Sequence, residues 1–174
     1  WVTVAEAADF TAARTHGIRI VTLDRGYAID VPARAPWLLL GAKTLSYAVN
    51  MAAIREAKRR GADDAVFVSS DGFVLEAPTA SLILRRGDTF VTPAPNAGIL
   101  HGTTQLSLFD HLEKQGFTTA YETIPAADLP RADAAWLVSS VRLAAPIVAV
   151  DGQPVAHDRE LTASMNDYLL SPRD

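Results

Sequence analysis

The chain has 174 residues, 49% of them hydrophobic and 21% charged, with 16 Lys and Arg against 20 Asp and Glu for a net charge of −4. That is one domain's length with material for a sizeable core, and it lacks the basic excess that a nucleic-acid partner would need. Cysteine is absent, which excludes disulfides, thiolate metal sites and thiol nucleophiles, and no apolar run approaches the roughly 18 residues of a membrane span, so a cytoplasmic protein is expected.

In chain order, Trp1–Val4 reads as a strand, 6–15 as a short Ala-rich helix ending near Gly17, and Ile18–Leu23 as a second strand, giving a β-α-β start. Because the first strand begins at Trp1 without an initiating methionine, the chain is expected to be a piece of something longer. Residues 24–36 hold Gly26, Pro32 and Pro36 and predict an irregular connection to the apolar run Trp37-Leu38-Leu39-Leu40. Val49, Ala52, Ala53 and Ala57 recur at helical spacing between Ser46 and Arg60, with charged residues opposite and Gly61 as the stop.

Ala65–Ser69 and Phe73–Glu76 flank the turn dipeptide Asp71-Gly72, the pattern of a tight hairpin, and Ser81–Leu84 with Thr89–Thr92 predicts another across Arg86-Gly87-Asp88. A Pro-, Asn- and Gly-rich loop follows at 93–100. Gly102-Thr103-Thr104 then opens a helix that runs to Gly116. Strands at 117–123, 135–141 and 147–150 and a helix at 159–169 complete one α/β domain with a mixed sheet.

Of three lysines, Lys58 and Lys114 fall on polar helix positions, whereas Lys43 directly follows the run Leu38–Ala42. If that run is a strand, the Lys43 amine projects from its end into a partly desolvated place, which lowers a lysine pKa and favours a Schiff-base nucleophile; the alternative is a surface lysine. Glu76 precedes the small-residue loop Ala77-Pro78-Thr79-Ala80-Ser81, which leaves space above its carboxylate, although a solvated strand-end acid fits as well. Gly102-Thr103-Thr104 at a helix start outlines an anion site or a plain N-cap. Ser139-Ser140 could add donors to the same anion or be ordinary strand-end serines. Together they supply an amine, a carboxylate and two donor clusters, the set that pyridoxal phosphate needs.

Lys43, Leu75-Glu76-Ala77, Phe90-Val91-Thr92-Pro93, Ile99-Leu100-His101-Gly102-Thr103-Thr104 and Trp136-Leu137-Val138-Ser139-Ser140, in that order, resemble the class IV aminotransferase family. These fold-type IV pyridoxal-phosphate enzymes include branched-chain and D-amino acid transaminases and aminodeoxychorismate lyase. Thr22–Gly26, Lys43–Met51 and Gly102–Gln105 are most similar to the actinobacterial lyases. The resemblance implies a mixed sheet partly closed into a pseudo-barrel with flanking helices, the large domain of the D-amino acid aminotransferase-like fold, over 1–174, with a smaller N-terminal domain missing. It implies pyridoxal 5′-phosphate as cofactor, Lys43 as the Schiff-base lysine and the base at the substrate's α-carbon, and Glu76 as partner of the pyridine nitrogen. Thr103, Thr104, Ser139, Ser140 and Val141 would hold the phosphate. A small amino substrate and a homodimer are expected, with no metal, nucleic acid or membrane.

Three residues depart from the family pattern: Ser81 where Asn is usual, Gln105 in place of Lys or Arg, and Arg142 as an extra cation near the phosphate end. Lyase and transaminase chemistries both need Lys43 and Glu76. A hydrolase lacks the Gly-x-Ser-x-Gly elbow here, and the four histidines lack ligand spacing. A non-catalytic binding module is the remaining alternative.

Overall fold

Alternating side chains with both parities apolar build a sheet that is buried on both faces. A computed structural model describes residues 2–4, 6 and 8–171. In β3 (Ser81–Arg86), Leu82 and Leu84 join one core while Ile83 joins another, and in β6 (Ala134–Ser139), Ala135 and Leu137 oppose Trp136 and Val138 in the same way. Successive strand residues point to opposite faces, so a run of apolar residues needs cover on both sides.

The sheet runs β2-β1-β7-β6-β3-β4-β5. β1 (Ile18–Asp24) lies parallel to β2 (Asp64–Val68) and β7 (Leu143–Val150), and β4 (Thr89–Pro93) lies parallel to β5 (Thr118–Glu122). The β3–β4, β3–β6 and β6–β7 pairs are antiparallel, and β8 (Gln153–Pro154) hairpins back on β7. The segment 73–77 then links the two edges. Val74 bridges Val68 of β2, Phe73 bridges Pro125 beyond β5, and Val74 N–H donates to Ile124 O at 2.8 Å. This partial closure encloses Ile18, Ile20, Val66, Leu82, Leu84, Val91, Leu137 and Ile147, the pseudo-barrel interior that the sequence resemblance implies.

Helices cover the outside. α4 (Thr103–Lys114) and α5 (Arg159–Leu170) bury Leu108, Phe109, Leu112 and Met165 against Phe90 and Trp136. Trp136 Nε1 donates to Thr162 Oγ1 at 2.7 Å, and Asp158 caps α5 by accepting from Leu161 N at 2.9 Å. α3 (Ala48–Arg59) packs on β1 and β2 through Ala53 and Ala57 alone, while Val49 of the predicted apolar face is exposed.

Several predicted elements differ. Residues 2–4 join no strand and Trp1 lies outside the described residues, so the start is not β-α-β; the first helix, α1 (Thr11–His16), covers only the last part of 6–15. The connection at 24–36 includes a short helix, α2 (Val31–Arg34). Phe73–Glu76 forms bridges rather than a strand, because it spans two edges instead of lying along one. Trp37–Leu40 is not extended: Pro36 starts a single 3₁₀ turn to Leu38, and Leu39 ends it in the left-handed region at φ 52°.

Candidate active site

A cavity of about 550 Å³ opens where the Lys43 loop, the Glu76 loop, the start of α4 and the end of β6 meet. That volume is ordinary for a small-molecule or cofactor site. Lys43, Glu76, Thr103, Thr104, Ser139 and Ser140 all line it. Val141 does not: it sits on the outer side of the β6–β7 turn, 66% exposed.

Lys43 comes from a loop and not from a strand end, and its residue is exposed rather than partly desolvated. Glycine brings that loop into place. Gly41 has φ 81°, and a Cβ there would lie 2.7 Å from Ile99 O, so only glycine lets residues 40–41 close on 98–99. The same approach puts the Lys43 loop beside Leu100, whose N–H donates to Glu76 Oε2 at 3.1 Å.

Glu76 is half-buried at the end of the bridging segment. Burial pushes its carboxyl up to about 7, opposed by the Leu100 N–H and by the positive charges of Arg25 and Lys43. Its environment therefore withholds full solvation from the carboxylate and rewards a cation or a strong donor placed against it.

Around the start of α4 the cavity is lined by hydroxyl and N–H groups. α4 begins after Gly102, which offers no side-chain cap, so the first-turn N–H groups have no capping acceptor from that residue. Thr104 is half-buried beside them, and Ser139 closes β6 with its Oγ accepting from Arg142 N at 3.2 Å.

The departures noted in sequence divide. Gln105 is buried and donates to Tyr121 OH at 3.3 Å, away from the cavity lining. Arg142 is no cation near the expected phosphate end either. Its Nη2 lies 2.6 Å from Asp64 Oδ2, with side chains 12% and 3% exposed, an ion pair whose angles miss those of a hydrogen bond. No local pattern pointed to that partner, because Asp64 lies far away in sequence, on β2. Ser81 lines the cavity at the start of β3.

Arg25, Tyr47 and Asn50 also line the cavity; they fall in the stretches 22–26 and 43–51 that carry the resemblance, but no site role was expected of them. The Arg25 guanidinium lies 4.6 Å from the Phe67 ring centre and 5.7 Å from that of Tyr27, within electrostatic reach of Glu76. Its position after the last residue of β1, ahead of Gly26, was the available signal. Asn50 Nδ2 donates to Pro78 O at 2.7 Å and ties α3 to the Glu76 loop.

Among the described residues no group of three or more His, Asp or Glu is placed to hold a metal, and no helix is long and apolar enough to cross a membrane. Residues 4–150 match the family model described as amino-transferase class IV. The chain is 45% identical over 148 residues to a bifunctional aminodeoxychorismate lyase / D-amino acid transaminase of Mycobacterium tuberculosis, a match covering 81% of this chain and 51% of that protein. In structure it is similar to the fold IV-transaminase CpuTA1 of Curtobacterium pusillum, with a TM-score of 0.92 and 55% identity over 95% of this chain and 55% of that one. A PLP-bound hypothetical aminotransferase from Mycobacterium tuberculosis superposes with a TM-score of 0.88 at 41% identity, covering 94% of this chain and 59% of the other. The chain thus spans about half the length of the curated relatives it matches.

Proposed function

This chain belongs to the class IV aminotransferase family of pyridoxal-phosphate enzymes, and we propose that residues 1–174 are the cofactor-binding large domain of an aminodeoxychorismate lyase. The reaction is conversion of 4-amino-4-deoxychorismate to 4-aminobenzoate and pyruvate. The observation that carries the cofactor assignment is the shared cavity, which sets an amine, a carboxyl that gains from a donor, and a helix start without a side-chain cap around one space.

The residues fit pyridoxal phosphate. Lys43 would supply the anchoring amine, Glu76 would pair with the ring nitrogen, and Thr103, Thr104, Ser139 and Ser140 would hold the phosphate together with the first N–H groups of α4. The exposed Val141 side chain offers nothing to the phosphate, so only its backbone is retained in this role. When bound, the cofactor supplies an electron sink for the carbon that carries the substrate's amine.

Each protein group then has a defined task. Glu76 as carboxylate favours a proton on the ring nitrogen, and the Leu100 N–H keeps its Oε2 in place. With the cofactor bound, the Lys43 amine would be the base placed to take the proton from the amine-bearing carbon of the substrate. The Asn50 bond to Pro78 O holds the helix behind Lys43 against the loop behind Glu76, so the two groups keep their spacing.

A D-amino acid or branched-chain transaminase is the second reading. It is supported by the double name of the mycobacterial relative and by the 55% identity to a fold IV-transaminase. The two readings share the proton abstraction and then diverge: in the lyase the enolpyruvyl C–O bond breaks and pyruvate leaves as the ring aromatises, whereas in the transaminase the amino group stays behind and an oxo acid leaves. The proposal includes a cytoplasmic homodimer. Trp37 (74% exposed), Leu38, Leu39, Leu45 and Val49 present apolar surface on and beside the Lys43 loop, and a second copy is proposed to cover it.

The test is substrate choice. With added cofactor, the purified protein is expected to form 4-aminobenzoate from 4-amino-4-deoxychorismate. Oxo-acid formation from D-alanine or a branched-chain amino acid with 2-oxoglutarate, without 4-aminobenzoate, would assign it to the transaminases.

A further inference from the structure

Ser81 stands where the family pattern has Asn, and the structure gives that change a geometric partner. Ser81 opens β3 opposite Val138, so the strand register sets it beside the turn that carries Ser139 and Ser140. Across the cavity wall its Oγ occupies the space that a Cβ on Gly102 would fill. Gly102 is the residue that starts α4, and both it and Ser81 line the cavity.

Three consequences follow from these contacts. Because the Ser81 Oγ fills the space a Cβ on residue 102 would take, serine at 81 and glycine at 102 form a matched pair. The Ser81 hydroxyl is half-buried, and among the described residues no side-chain or main-chain group is bonded to it. It lies against Gly102, where the first N–H groups of α4 have no side-chain cap. A half-buried hydroxyl beside donors is complementary to a ligand that accepts on several atoms at once, as a phosphate does.

We infer that Ser81 is a specificity-determining residue whose Oγ–H donates to the cofactor phosphate at the start of α4, so that the site discriminates the phosphorylated cofactor from its dephosphorylated form. The inference rests on the proposed cofactor assignment and adds a donor from β3 to those from α4 and β6. No bond is made or broken in this role. The effect is on binding and appears only when the ligand carries the phosphate.

The experiment compares pyridoxal 5′-phosphate with pyridoxal. Each is titrated into the wild-type protein and into Ser81→Ala, with binding read from protein fluorescence and the site confirmed by borohydride reduction and mass mapping to Lys43. A hydrogen bond to a charged acceptor predicts a loss of about tenfold or more in affinity for the phosphorylated ligand in Ser81→Ala. Affinity for pyridoxal is expected to change less than about twofold, since the lost donor faces a group that pyridoxal lacks. Unchanged affinity of Ser81→Ala for both ligands overturns the inference, and so does an equal loss for both, which marks a merely structural role. A wild-type protein that labels Lys43 with neither ligand overturns the cofactor assignment itself, and the inference with it.

Discussion

Replacing Glu76 by Gln should raise the stability of the cofactor-free protein at alkaline pH and leave it nearly unchanged in acid. Burial lifts the Glu76 carboxyl from 4.5 to about 7 in the folded protein. Between those values the folded state keeps a proton that the unfolded state releases, so stability falls as pH rises through this window. The whole shift costs roughly 3 kcal/mol of stability, a cost fully present above about pH 7 and absent below about pH 4.5. Gln is neutral throughout, has nearly the same shape, and can still accept the Leu100 N–H through its carbonyl oxygen. Glu76→Gln should therefore match wild type at pH 4 and exceed it by up to roughly 3 kcal/mol at pH 8, a rise of about 6–12 °C in Tm for a domain of this size. Thermal melts or urea titrations of both proteins across pH 4–8, without cofactor, measure the difference directly. A stability gap between the two that does not vary with pH would refute the reasoning, because it would mean that Glu76 titrates alike in the folded and unfolded states.

Other outcomes follow from packing and charge. Gly102→Ala should cost about 1–3 kcal/mol in wild type, because the new methyl overlaps Ser81 Oγ. The same change in a Ser81→Ala background should cost much less, since the remaining Ser81 Cβ position lies at an ordinary 3.6 Å; urea titrations of the four proteins give the coupling. Arg142→Met leaves the Asp64 carboxylate buried without its partner and should destabilise by about 3–5 kcal/mol, whereas Arg142→Met with Asp64→Leu should recover most of that loss in the same denaturation assay. Light scattering should report a dimer, and Leu39→Lys with Leu45→Lys should shift it to monomer by placing charge on the apolar Lys43 loop.

The strands were legible where local pattern and burial agree. Ile18-Arg19-Ile20 alternates, Leu82-Ile83-Leu84 is the unbroken apolar run of a strand covered on both faces, and Arg86-Gly87-Asp88 carries the turn between β3 and β4. The site residues Lys43, Glu76, Thr103, Thr104, Ser139 and Ser140 were legible as chemistry and do converge on one cavity. What local pattern misjudged was Trp37–Leu40. An apolar run reads as strand, but Pro36, the left-handed Leu39 and Gly41 turn it, leaving Trp37, Leu38 and Leu39 exposed and Leu40 half-buried. Arg142 was misjudged for a different reason. Its position next to Ser139-Ser140 in sequence pointed to the phosphate end, while its side chain answers to Asp64 on another strand. Arg25 was passed over because its role depends on rings at Tyr27 and Phe67, the latter brought alongside by β1–β2 pairing.

The most direct test of the account is to incubate the protein with pyridoxal 5′-phosphate, reduce with borohydride and map the pyridoxyl adduct by peptide mass. A single adduct on Lys43, lost in Lys43→Ala and not transferred to Lys58 or Lys114, is the predicted result. Labelling scattered over the three lysines, or none at all from a folded protein, would contradict the claim that this cavity is a pyridoxal-phosphate site.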